Sequence, residues 1–116
     1  MEVIKERKQL REKVIKEARE WASKLPFKST IVLIGSYARG DFNLWSDVDI
    51  VIIAEMRGNP LERLKAIDQP PGYEVIPLRP EEFMKKLREE DPIAKEVITV
   101  GIVLRDDLRI EKLIHH

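Results

Sequence analysis

The stretch Ile31-Val32-Leu33-Ile34-Gly35-Ser36-Tyr37-Ala38-Arg39-Gly40, followed after a polar interval by Ser46-Asp47-Val48-Asp49-Ile50-Val51-Ile52-Ile53, decides how this chain is read. Each half holds an unbroken apolar run of the kind that forms a buried strand. The first run ends at Gly35-Ser36, where a short helix can open with its free backbone N–H groups facing an anion, so a phosphate seat is expected there. Asp47 and Asp49 stand two apart at the start of the second run, and on a strand their side chains leave the same face. Two like charges held that close are costly without a cation. Hard oxygen ligands beside a phosphate-binding turn point to magnesium (Mg2+) or manganese (Mn2+) and to a nucleoside triphosphate.

These residues resemble the DNA polymerase beta-like nucleotidyltransferase superfamily, and within it the minimal nucleotidyltransferase (MNT) branch. The family pattern is Gly-Ser, ten residues, then Asp-x-Asp. Here the ten residues Tyr37 to Ser46 separate Gly35-Ser36 from Asp47-Val48-Asp49, and the family's Ala-Arg-Gly is present as Ala38-Arg39-Gly40. An acidic pair alone would mean little, because such pairs are common on solvated surfaces, but the conjunction is specific. The resemblance implies an α/β (α+β) fold: a small mixed β-sheet with flanking helices, like the polymerase beta palm, with residues 1–116 forming a single domain.

The family also uses a third carboxylate from a later strand, and Gly72-Tyr73-Glu74-Val75-Ile76-Pro77 offers Glu74 in a segment of strand-forming residues bounded by Pro70-Pro71 and Pro77. The short link from Ile34 to Asp47 suits antiparallel neighbours, which sets the Gly-Ser turn beside the aspartate pair. The stretch from Glu55 to Gly72 is long enough for a crossover to a strand parallel to the second, bringing Glu74 to the same edge. The resemblance then implies that Asp47, Asp49 and Glu74 hold two ions, that Glu74 takes the proton from the acceptor hydroxyl, and that Gly35 and Ser36 hold the terminal phosphates. Glutamate at position 74 departs from the commoner aspartate and must sit slightly further back. Arg39 can reach a phosphate or pair with Asp41 or another acid, and structural pairing is the slightly preferred reading. Tyr37, Phe42 and Trp45 can stack a base, but aromatics between two core strands more often close the core, and that reading is preferred.

The reaction so implied is transfer of a nucleoside monophosphate, AMP from ATP or the equivalent from another nucleoside triphosphate, onto a hydroxyl with release of pyrophosphate. Minimal domains of this type are often encoded beside a HEPN-domain toxin and act as its antitoxin, where active by adenylylating a tyrosine. The resemblance therefore implies a HEPN toxin as partner and protein adenylylation as the activity. Two alternatives stay open: a non-catalytic antitoxin that acts by complex formation, and a small-molecule nucleotidyltransferase. A second copy of the chain is a further partner the sequence permits.

Composition narrows the setting without naming the task. The 116 residues suffice for one core with little to spare. Twenty-one basic residues against 21 acidic ones give a formal charge of zero, so no strong nucleic-acid or acidic-membrane signal is present. The absence of cysteine excludes disulfides and thiolate chemistry and fits a reducing compartment. No apolar run approaches a membrane span, and the charged start Met1-Glu2-Val3-Ile4-Lys5-Glu6-Arg7-Lys8 is unlike a signal peptide, so the cytoplasm is expected.

Along the rest of the chain, Leu10, Val14, Ala18, Trp21, Ala22 and Leu25 recur at helical spacing, predicting a long first helix that packs on the sheet before Pro26 and keeps its Lys and Glu residues in water. Further helices are predicted from Pro80 to Leu87 and from Asp91-Pro92 to about Val100, then a short strand at Ile102-Val103-Leu104 and a last helical turn or two between Leu108 and Ile114. Arg57-Gly58-Asn59-Pro60 is the expected mobile loop. The closing His115 and His116 are not read as ligands.

Overall fold

The two apolar runs become neighbouring antiparallel strands, β1 (Thr30–Ile34) and β2 (Val48–Ile53), paired from Thr30 opposite Ile53 to Ile34 opposite Asp49. The computed structural model describes residues 2–114, so His115 and His116 lie outside the described residues. A third strand, β3 (Tyr73–Leu78), runs parallel to β2, and β4 (Ile102–Asp106) runs antiparallel to β1 on its other side. The sheet order is therefore β3-β2-β1-β4, a mixed sheet of the kind expected.

Side chains alternate across this sheet, and its two central strands are covered on both faces, which is why they read as unbroken apolar runs. Ile31, Leu33, Ile50 and Ile52 pack beneath the long helix α1 (Glu2–Ser23), against Ala22, Leu25 and the half-buried Val14 and Trp21. Val32, Ile34, Val51 and Ile53 face the other way, toward Phe83 of α4 (Pro80–Arg88) and Ala94 and Val97 of α5 (Pro92–Thr99). A five-residue helix, α2 (Gly35–Arg39), follows β1 directly, and α3 (Pro60–Lys65) lies within the β2-to-β3 crossover.

Local chemistry sets the helix starts. Proline occupies the first turn of α3, α4 and α5, where its missing N–H costs nothing. Asn59 and Glu62 close a capping box on α3, and Asp91 accepts the Ile93 N–H at 2.9 Å on α5. After β4 the chain turns back on Asp106, whose carboxylate accepts from Thr30 Oγ1 and from the backbone N–H groups of Ile110 and Glu111. The last helical segment is then a single 3-10 turn, Glu111–Leu113.

Two sequence readings need correction. Trp45 does not close the core: it is 90% exposed, while Tyr37 and Phe42 are buried and stack on each other with ring centroids 4.5 Å apart. Asn43 accepts the Trp45 N–H through its side chain and donates its own backbone N–H to Ser46 Oγ, a tight turn that carries the indole away from the sheet. The loop expected to be mobile, Arg57 to Pro60, is tied down instead. Its Gly58 carbonyl accepts from both Arg63 and Arg79, and Arg79 also donates to the Met56 carbonyl.

Candidate active site

Gly35 begins α2 at φ +77°, a conformation glycine adopts without strain, and a Cβ placed there would collide with the Asp49 carboxylate. Turn and carboxylate are thus packed so closely that only glycine fits between them. Ser36 follows in the first turn of α2, and Gly40, at φ +95°, ends the helix by donating its N–H to the Ser36 carbonyl at 2.7 Å.

This short helix is held from outside by α1. Arg11 donates through Nε to the Tyr37 carbonyl at 2.6 Å and through Nη2 to the Ala38 carbonyl at 2.7 Å. Arg7 donates to the Phe42 carbonyl at 2.6 Å and lies over the Phe42 ring, 4.4 Å from its centroid. Arg11 thus satisfies orphan carbonyls at the end of the helix and complements its dipole, while Arg7 holds the Gly40 cap and the loop beyond it. Sequence reasoning did not single out these arginines. Their spacing of four residues, which puts both on one face of α1, was the available signal.

The carboxylates converge from two strands. Asp49 sits opposite Ile34 of β1 on one side and in register with Glu74 of β3 on the other. Both belong to the alternation set of Val51, Ile53, Ile76 and Leu78, and so they share the face covered by α5. Asp47 lies just before β2 and is exposed, Glu74 is exposed, and Asp49 is half-buried. Burial pushes the Asp49 carboxyl up to about 6, and the negative charges of Glu74 and Asp47 push the same way. Among the described residues no three acidic or histidine side chains are already closed into a metal cage. The donor set nevertheless suits a hard divalent cation: the groups are all oxygen ligands, and their mutual repulsion is what such an ion would relieve.

Arg39 resolves toward ion pairing. Its Nε donates to Asp41 at 3.2 Å, and its Nη1 donates to Glu96 of α5 at 2.5 Å. The same Glu96 oxygen accepts the Gly35 N–H at 3.1 Å. No sequence feature marked Glu96. It lies 61 residues from Gly35, and only the packing of α5 against the end of β1 brings it to the turn.

The structure thus gathers Gly35, Ser36, Arg39, Asp47, Asp49 and Glu74 around the ends of β1, β2 and β3, with Glu96 added from α5. Such an arrangement can bind a polyphosphate beside a cation and place a base near an attacking hydroxyl. Comparison with known proteins gives the family and the fold. A family model described as a nucleotidyltransferase domain matches residues 12–111. The crystal structure of a proposed nucleotidyltransferase from Sulfolobus solfataricus is similar in fold at 21% identity, covering 89% of this chain and 86% of that one with a TM-score of 0.52. No curated protein matches the chain.

Proposed function

We propose, from the premise that this chain belongs to the nucleotidyltransferase domain family, that it transfers AMP from ATP to a hydroxyl group of a partner protein. The observation that carries this reading is the register of Asp49 with Glu74, beside a Gly35 turn packed onto the Asp49 carboxylate. Asp47, Asp49 and Glu74 would hold magnesium or manganese, two ions when fully loaded. The metal supplies charge neutralisation on the triphosphate and makes the acceptor hydroxyl more acidic. Gly35 and Ser36 seat the terminal phosphates, and Arg39 adds a positive charge there. The acceptor oxygen forms its bond to the α-phosphorus as the bond from that phosphorus to the α,β-bridging oxygen breaks. Pyrophosphate leaves with the electron pair, and the acceptor proton passes to Glu74. Catalysis on this account is mainly positioning and electrostatic stabilisation.

A protein acceptor is favoured by the surface next to the carboxylates, where Leu44 and Trp45 are 85% and 90% exposed just ahead of Asp47. From the MNT resemblance we take that acceptor to be a tyrosine of a HEPN-domain toxin, which makes the chain an antitoxin working by adenylylation. The test is intact mass of the co-purified partner after incubation with this chain, ATP and magnesium. A gain of AMP units is expected, and Asp47→Asn with Asp49→Asn should reduce it by about a thousandfold or more, as loss of charge stabilisation at a reacting centre does. Undiminished transfer by the double variant would refute the site, and a stable complex without any mass gain would favour an antitoxin that acts by contact.

A further inference from the structure

The donors assigned to the triphosphate are already occupied by an anion belonging to the chain itself. One oxygen of Glu96 accepts both the Gly35 N–H, at 3.1 Å, and Arg39 Nη1, at 2.5 Å. We propose that Glu96 is a positioning residue that gates the triphosphate seat: it holds Gly35 and Arg39 when no nucleotide is bound, and an incoming phosphate oxygen must take both donors from it. This inference rests on the nucleotidyl-transfer reading and adds to it what sets nucleotide affinity.

Three features favour a gate over a brace. The Arg39 and Glu96 side chains are 41% and 33% exposed, so water can solvate the carboxylate as it leaves and the exchange costs little. Arg39 is bracketed, because Asp41 holds its Nε at 3.2 Å and keeps the guanidinium in place once Glu96 lets go. A brace for the Gly35 N–H needs only a neutral acceptor. Glu96 instead brings a further negative charge beside Asp49, whose surroundings already hold Glu74 and Asp47. Arg39 balances that charge in the empty fold, and an incoming polyanion must displace it to reach the same donors.

The experiment measures ATP binding with magnesium by titration calorimetry, on the full chain, on Glu96→Gln and on Glu96→Asp, at low and high salt. Glutamine keeps the acceptor without the charge and should bind ATP about fivefold more tightly, the scale of a partly exposed ion pair. That gain should shrink at high salt and appear in KM rather than kcat. Aspartate keeps the charge at the seat and should stay within about twofold of the unaltered chain. A glutamine variant that binds no more tightly than the unaltered chain overturns the gate, because a structural brace predicts equal or weaker binding. If the unaltered chain and both variants bind no ATP, the phosphate seat at Gly35 and Ser36 falls first and the gate falls with it. A second reading needs no variant: in the unaltered chain the Glu96 side-chain carboxyl carbon resonance should move when ATP binds, and a resonance that stays still while ATP binds overturns the proposal.

Discussion

The two ends of the β2–β3 pair handle charge in opposite ways. At the end nearest α4, Arg63 is 4% exposed, and its guanidinium is fully engaged by the Gly58 and Pro77 carbonyls and by the Glu82 carboxylate, at 2.6 and 3.2 Å. Hydrogen bonding from Arg63 holds the Glu82 carboxyl below its ordinary range. At the other end, Asp49 faces Glu74 and Asp47 and forms no ion pair among the described residues, and burial and these charges push its carboxyl up instead. Folding alone selects the first arrangement, since a buried charge must be paired. The second is explained when a ligand completes it. Balanced and unbalanced charge thus separate scaffold from candidate site on one sheet.

The largest effect expected on the scaffold side comes from Arg63→Ala. Removing the guanidinium strands the Pro77 carbonyl, leaves the Gly58 carbonyl with Arg79 alone, and leaves the Glu82 carboxylate with only the Arg79 backbone N–H. Because Glu82 is partly exposed, the loss should be about 2–3 kcal/mol rather than the full cost of breaking a wholly buried pair. A urea melt reads this as a lower midpoint, while ATP affinity of the molecules still folded should stay unchanged. A loss of ATP affinity as large as the loss of stability would show that the two ends are coupled, and the contrast would fail.

What the sequence disclosed follows the same division between local and distant causes. The apolar runs at Ile31 to Ile34 and Ile50 to Ile53, the Gly35-Ser36 turn and the proline-started helices are set by neighbouring residues, so they could be read directly. The length from Glu55 to Gly72 sufficed to foresee a parallel crossover, which places Glu74 against Asp49. Glu96 was invisible because its partners lie 57 and 61 residues away and depend on how α5 packs. Arg7 and Arg11 looked like ordinary members of a charged helix, since nothing local reveals that carbonyls of α2 and of the Phe42 loop wait opposite them. Trp45 is misplaced by the rule that aromatics between two core strands more often close the core, because the Asn43–Ser46 turn overrides it.

A second expectation sharpens the contrast at the site. The Asp49 carboxyl titrates near 6 in the folded chain and near 3.9 when unfolded, so the folded state holds its proton to higher pH. Its protonated form costs the fold nothing below pH 4. From about pH 4 to 6 the metal-free fold loses stability as this group ionises against burial, Glu74, Asp47 and Glu96, and above 6 the penalty is constant. Because Asp49 is only half-buried, solvent reduces the penalty to about 1 kcal/mol. Asp49→Asn should therefore stabilise the chelator-treated protein by about that amount at pH 7 and not at pH 4. Magnesium should raise the melting temperature of the unaltered chain more than that of the variant. Equal stabilisation of the variant at both pH values would mean that repulsion at this end is not what distinguishes it from the Arg63 end.

The smallest effect tests the loops that flank the two ends. The Gly58 loop is tied by Arg63 and Arg79, whereas the loop from Asp41 to Ser46 displays Leu44 and Trp45 to solvent. An indole that is 90% exposed contributes little to packing, so Trp45→Ala should leave stability within about 0.5 kcal/mol. If the exposed pair receives the acceptor protein, the same change should raise the KM for that protein several-fold, by about 1 kcal/mol or more for an aromatic at an interface, and leave the affinity for ATP unchanged. Lost ATP affinity with an unaltered acceptor KM would move Trp45 from the acceptor to the nucleotide. The exposed indole would then belong to the charge-unbalanced end itself, as a stacking surface for the base.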